Sequence, residues 1–193
     1  LLIVLLNAFN QNWKNIFIYY WFSPLVIFIT YWHGQGDIIP VAFFMLALIH
    51  IKRKNFIIAG LILSLSVTAK HSMLIGLPFI IIYILSQRVP RNLLINFIIS
   101  FIGFLLLIES ALLFDDSFRT MVIENREVEK IYWIAFEMGN ENLIYFTILI
   151  YLILIYFFLR IRRINFDLLL ASMGVAFSVI ILLTPSSPGW YLW

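Results

Sequence analysis

Three polar side chains, His33, Gln35 and Asp37, stand within five residues in the stretch YWHGQGDIIP (Tyr31 to Pro40), between two apolar runs. Gly34 and Gly36 separate them and let the backbone turn and come close to a ligand. Carboxylate, amide and imidazole together suit a polyhydroxyl substrate such as a sugar. A second reading is local: Asp37 precedes a helix whose first turn accommodates Pro40, and its carboxylate can cap that helix. Lys70 and His71 form a second polar break, in SVTAKHSMLIG. A lysine flanked by apolar runs marks a pathway or an anion site, and a phosphate is its natural partner. The alternative is that Lys70 snorkels to lipid headgroups. Glu109, with Asp115 and Asp116 after it, offers carboxylates for general-base work or simply a solvated helix end. His50, beside Lys52–Lys54, reads as a headgroup contact.

The elements that must hold these residues are apolar. The chain is 63% hydrophobic and 12% charged over 193 residues, more apolar surface than one water-soluble core hides. Apolar runs cover Leu1–Phe9, Ile16–Trp32, Ile39–Ile51, Phe56–Ala69, Met73–Ser86, Leu93–Phe114, Leu143–Leu159 and Phe166–Thr184. Those starting at Leu93, Leu143 and Phe166 approach the roughly 20 residues a membrane crossing needs. The three between Ile39 and Ser86 are short, so they tilt, extend into the polar breaks, or stop at a water-filled cavity. The expected fold is all-α: a polytopic transmembrane bundle with short or broken helices. Residues 1–193 are expected to form a single transmembrane domain, a fragment of a longer one. The pattern of Met121, Val128, Ile131, Tyr132, Ile134 and Met138 predicts an outer interfacial helix with Trp133 at headgroup depth.

Basic residues orient the bundle. Lys14, Lys52–Lys54, Arg88 with Arg91, and Arg160 with Arg162 and Arg163 fall at alternate breaks. Placing them on the cytoplasmic side follows the positive-inside tendency. Residues 32–37, 69–72, 115–142 and 185–193 then share the outer side. So do most acids: Asp37, Asp115, Asp116, Glu124, Glu127, Glu129, Glu137 and Glu141. Four polar breaks on one side predict one extracytoplasmic site on a multi-pass protein of the cell membrane.

The chain has no cysteine, which excludes disulfides and thiolate metal sites. No HExxH motif, Walker loop or dinucleotide fingerprint occurs, although a divalent cation held by carboxylates leaves little sequence trace. No nucleic-acid partner is expected.

From Ser23 to Leu85 the sequence resembles the central part of GT-C type membrane glycosyltransferases, mannosyltransferase-like enzymes of the cell envelope. Ser23–Pro24, His33, Gly34, Gln35, Asp37, Gly60 and Lys70 match the family pattern in order. In TPSSPGWYLW, Pro188, Trp190, Tyr191 and Trp193 match a later outer loop, while residues 93–184 match only as alternating helices. The resemblance implies transfer of a sugar from a polyprenyl-phosphate donor to a lipid or glycan acceptor. By position, Lys70, next to His71, contacts the carrier phosphate. His33, Gln35 and Asp37 shape the sugar or acceptor pocket, and Trp190 and Tyr191 line the cavity mouth. Asp37 is the catalytic candidate in this chain; the family's main base, in the first outer loop, would lie upstream of Leu1. Two other readings stand: a lipid-linked polysaccharide ligase or polymerase, which shares the donor, and a transporter or flippase. A transporter calls for charges along a path through the membrane and for mirrored halves, and no internal repeat is visible.

Overall fold

The computed structural model describes residues 23–28, 36–118, 120, 126–139 and 142–184. These residues are mostly helical. After a single helical turn at Pro24–Ile27 come α1 (Ile38–Lys52), α2 (Phe56–Ala69), a 3-10 helix (His71–Gly76), α3 (Leu77–Ser86), α4 (Arg91–Leu112), α5 (Phe146–Arg160) and α6 (Phe166–Leu183). Among the described residues, the runs at Ile39, Phe56, Leu93 and Phe166 become helices with nearly the expected boundaries. The run at Met73 begins in the 3-10 helix, and the first three residues of the run at Leu143 are a strand. Leu1–Phe9 and most of Ile16–Trp32 lie outside the described residues.

The chain forms two compact units. The first comprises the described residues up to Met73 together with Pro90–Leu107; the second comprises Leu74–Val89 and 108–184. In the first unit, α1 and α2 pack side by side as a hairpin. Their buried residues are Pro40, Phe44, Ala47, Leu48, Ile49 and Ile51 on α1, and Phe56, Ala59, Gly60, Leu63, Ser64, Ser66 and Val67 on α2. Polarity does not mark this face, because both helices are apolar all round. Ala47, Ala59 and Gly60 are small and allow close packing where helices gain nothing by hiding apolar surface. The buried hydroxyl of Ser66 donates to the Pro40 carbonyl at 2.7 Å and ties the two helices.

At the connecting turn Lys54 has φ 60°, and the amides of Lys54 and Asn55 donate to the carbonyls of Ile51 and His50. That is the Schellman arrangement, with lysine where glycine is usual. His50, expected at the headgroups, is only partly exposed; its Nδ1 is buried and has no partner among the described residues. The α2 backbone meets α4 at Gly60. A Cβ placed there would lie 2.7 Å from the Phe97 carbonyl oxygen and 2.9 Å from the Phe101 nitrogen.

In the second unit, α6 packs on α5 and α3. Phe79 sets its ring 5.2 Å from Phe158 and 6.2 Å from Tyr151, and Tyr83 meets Phe166 at 6.2 Å. Asn165 caps α6 by accepting from the Leu168 amide at 2.8 Å. The Tyr151 hydroxyl donates to the Ile75 carbonyl at 2.7 Å and fastens the 3-10 helix to α5.

The expected interfacial helix is absent from its described part. Arg126–Tyr132 is 3-10 helix, and an antiparallel hairpin comes next, β1 (Ala135–Glu137) paired with β2 (Leu143–Tyr145) in the register Ala135↔Tyr145. Residues 121–125 lie outside the described set. The residues after Tyr132 outweigh the helical spacing: Trp133, Ile134 and Phe136 favour strand, and Gly139 takes φ 84° to turn the chain back. Ring pairs Tyr132–Tyr145 (4.8 Å) and Phe136–Phe146 (5.6 Å) hold the hairpin against the start of α5.

Two helices, α4 and α6, are long and apolar enough to cross a membrane. The core helix of a water-soluble protein also passes such a test, but it would be mostly covered by protein. Only 11% of the apolar window of α4 and 28% of that of α6 is buried. Ile99, Leu106 and Leu107 on α4, and Leu152, Phe157 and Leu159 on α5, are exposed.

Candidate functional site at the open end of the α1–α2 hairpin

The hairpin brings together two residues that lie 33 positions apart. Lys70 Nζ donates to Asp37 Oδ1 at 2.6 Å. The pair sits at the end of the hairpin opposite the turn Arg53–Asn55, because α1 begins at Ile38 and α2 ends at Ala69. The two side chains retain 23% and 15% exposure, for Lys70 and Asp37 respectively. This is a recessed ion pair, neither solvent-bathed nor sealed.

Local structure explains how each partner gets there. Asp37 occupies the N-cap position of α1, yet its side chain makes no capping hydrogen bond. The capping role is therefore not the one the carboxylate takes; it turns to Lys70 instead. On the other arm of the hairpin, α2 breaks at Lys70, which is extended (φ −159°, ψ 110°). Its amide still closes the last turn on the Ser66 carbonyl at 3.0 Å, and its own carbonyl accepts from the Met73 amide as the 3-10 helix begins. A lysine at a helix break can project its ammonium away from the helix surface instead of along it.

Two hydroxyl residues lie two positions before and after Lys70 in the chain. Thr68 Oγ1 and Ser72 Oγ are buried with no hydrogen-bond partner among the described residues. An unmet buried hydroxyl costs about 1–3 kcal/mol, so such atoms usually find water or ligand. Sequence reasoning passed over both. The signal was available: they are the hydroxyl residues nearest Lys70 inside otherwise apolar runs. His71, partly buried, opens the 3-10 helix directly after Lys70.

His33, Gln35, Trp190 and Tyr191 lie outside the described residues. Glu109 sits partly exposed in the last turns of α4. Asp115 Oδ1 accepts from the Phe118 amide at 3.3 Å and caps the short turn Asp116–Phe118. That favours the helix-end reading for Asp115. No group of three or more metal-ligating side chains converges among the described residues.

Chemically, the pair offers an ammonium, which donates, beside a carboxylate, which accepts. It has the parts for a ligand carrying both an anionic group and hydroxyls. No protein family, curated protein or solved structure matches the chain.

Proposed function

We propose that the chain is part of a multi-pass membrane glycosyltransferase that moves a sugar from a polyprenyl-phosphate donor to an acceptor on the extracytoplasmic face. One observation carries the reading: the Asp37–Lys70 pair at the broken end of a hairpin too short to cross a bilayer. At about 1.5 Å per residue, α1 and α2 reach roughly 21–22 Å, against about 30 Å of hydrocarbon. With the basic turn Lys52–Lys54 at the cytoplasmic headgroups, the ion pair lies about 9 Å short of the far boundary. Charges at that depth need a polar recess, and an intramembrane ion pair is by default a functional site.

The orientation draws support from the second unit. There Gln87 Nε2 donates to the Ile164 carbonyl at 2.6 Å, which sets the Arg88 turn beside the Arg160–Arg163 turn. Two separate basic breaks thus share one end of the unit, as a common cytoplasmic surface requires. The largely uncovered apolar faces of α4 and α6 support immersion in lipid.

In this reading the acceptor hydroxyl attacks the anomeric carbon, the bond from that carbon to the carrier phosphate oxygen breaks, and the hydroxyl proton passes to a carboxylate. Lys70 is placed to receive the charge that develops on the departing phosphate. Asp37 holds Lys70 in position before the donor arrives and is the candidate proton acceptor among the described residues.

The test uses full-length protein in membranes with a polyprenyl-phosphate sugar donor. Lys70→Ala and Asp37→Ala should each lower transfer by about 100-fold or more. Wild-type-like transfer in both variants refutes the site.

A further inference from the structure

The second unit carries an apolar groove of about 270 Å³ between α5 and α6, floored by Phe79 of α3. Leu154, Phe157 and Ile161 line one wall, and Leu168 and Val175 the other. A volume just below the range of small-molecule sites fits a length of acyl chain better than a whole ligand. The end of the groove at Ile161 and Leu168 adjoins the turn 160–165, where Arg160, Arg162 and Arg163 are exposed. The Gln87–Ile164 hydrogen bond brings the Arg88 turn to the same place. Segments 86–89 and 160–168 hold four arginines and a single acid, Asp167. Arg160 is engaged on another face of α5: its Nε and a terminal nitrogen donate to the hydroxyl of Tyr156, which does not line the groove, at 3.0 and 2.7 Å. Arg88, Arg162 and Arg163 are therefore the guanidinium groups left to the groove's end.

We propose that this groove and its arginine end form a binding site for an anionic glycerophospholipid, with one acyl chain between α5 and α6 and the headgroup phosphate at Arg88, Arg162 and Arg163. Three features choose the occupant. The groove is apolar and open to the side of helices whose outer faces are themselves apolar. The charge at its end is strongly positive. Guanidinium groups are suited to paired hydrogen bonding with phosphate oxygens. Basic pockets between membrane helices take anionic headgroups for the same reason. The proposal rests on the reading that the chain lies in a bilayer, but not on sugar transfer.

The full chain, purified in a neutral detergent, is examined by native mass spectrometry with phosphatidylglycerol and with phosphatidylcholine of identical acyl chains. Phosphatidylglycerol should be retained at least about fivefold more strongly, the factor that about 1 kcal/mol for a single engaged arginine gives. The variant Arg88→Gln/Arg162→Gln/Arg163→Gln should bring the two lipids within about twofold of each other. Ala171→Phe, which fills the groove, should reduce retention of phosphatidylglycerol with every arginine intact. Equal retention of the two lipids by the unmodified chain overturns the site, whatever the variants do. Displacement of the lipid by an equal concentration of glycerol 3-phosphate overturns it as well, since a free phosphate would then be the ligand. Because sugar transfer is a separate readout, losing this site leaves the glycosyltransferase reading to stand or fall on Lys70 and Asp37.

Discussion

The Asp37–Lys70 pair is short, recessed and supported by a helix break, so its two charges depend on each other. Lys70→Met strands a carboxylate in a recess. The expected loss is about 3 kcal/mol, the low end for a buried pair because both side chains keep some exposure. Asp37→Asn/Lys70→Met removes both charges and should fall within about 1 kcal/mol of the wild type. Thermal melting in detergent separates the two outcomes; equal loss in both variants would mean that the pair is not what stabilises this end of the hairpin. The chemical role is read from the exchanged pair, Asp37→Lys/Lys70→Asp. It keeps the attraction but not the position of the ammonium, so stability should return while sugar transfer stays lost. Each residue is visible on its own in the sequence, since a lysine among apolar residues and an acid after Gly36 both stand out. Their pairing is less visible. An acid just before a helix reads as a cap, and only the hairpin geometry shows that lysine outcompetes the helix amides for it.

At the scale of elements, the close approach of α2 to α4 depends on Gly60 having no side chain. Gly60→Ala should force the two backbones apart and cost about 1–3 kcal/mol in thermal stability. Gly103, with open space around a would-be Cβ, is the internal control: Gly103→Ala should be neutral or stabilising by up to about 1 kcal/mol. Equal effects at the two positions would contradict the crossing. Helix extents are legible in the sequence because long apolar runs bounded by basic turns and prolines leave few alternatives; for α2 the run and the helix coincide to the residue. Packing faces are not legible, since uniformly apolar helices carry no periodic contrast. The segment 121–145 misleads for the opposite reason. Its apolar spacing is helical, but the aromatic residues after Tyr132 and the left-handed Gly139 commit it to a hairpin. That hairpin also shortens the run after it, so α5, at 15 residues, is no longer than α1.

At the scale of the whole molecule, sidedness decides the function. Lys54 and Arg88 both take left-handed backbone where glycine would be easier, at φ 60° and 51°. Retaining a cation at such a position makes sense where headgroups and exposed helix carbonyls face it. In the proposed orientation the open end of the α1–α2 hairpin, with Asp37 and Lys70, faces the opposite side. The chain has no cysteine, so single cysteines can be read without background. Gly36 is exposed with open space around it, and Lys54 and Arg162 lie on exposed turns. A membrane-impermeant maleimide applied to intact cells should label Gly36→Cys, and label Lys54→Cys and Arg162→Cys only after permeabilisation. Labelling of Gly36→Cys and Lys54→Cys from the same side would contradict the proposed site, because the recess and the basic turn would then share one surface.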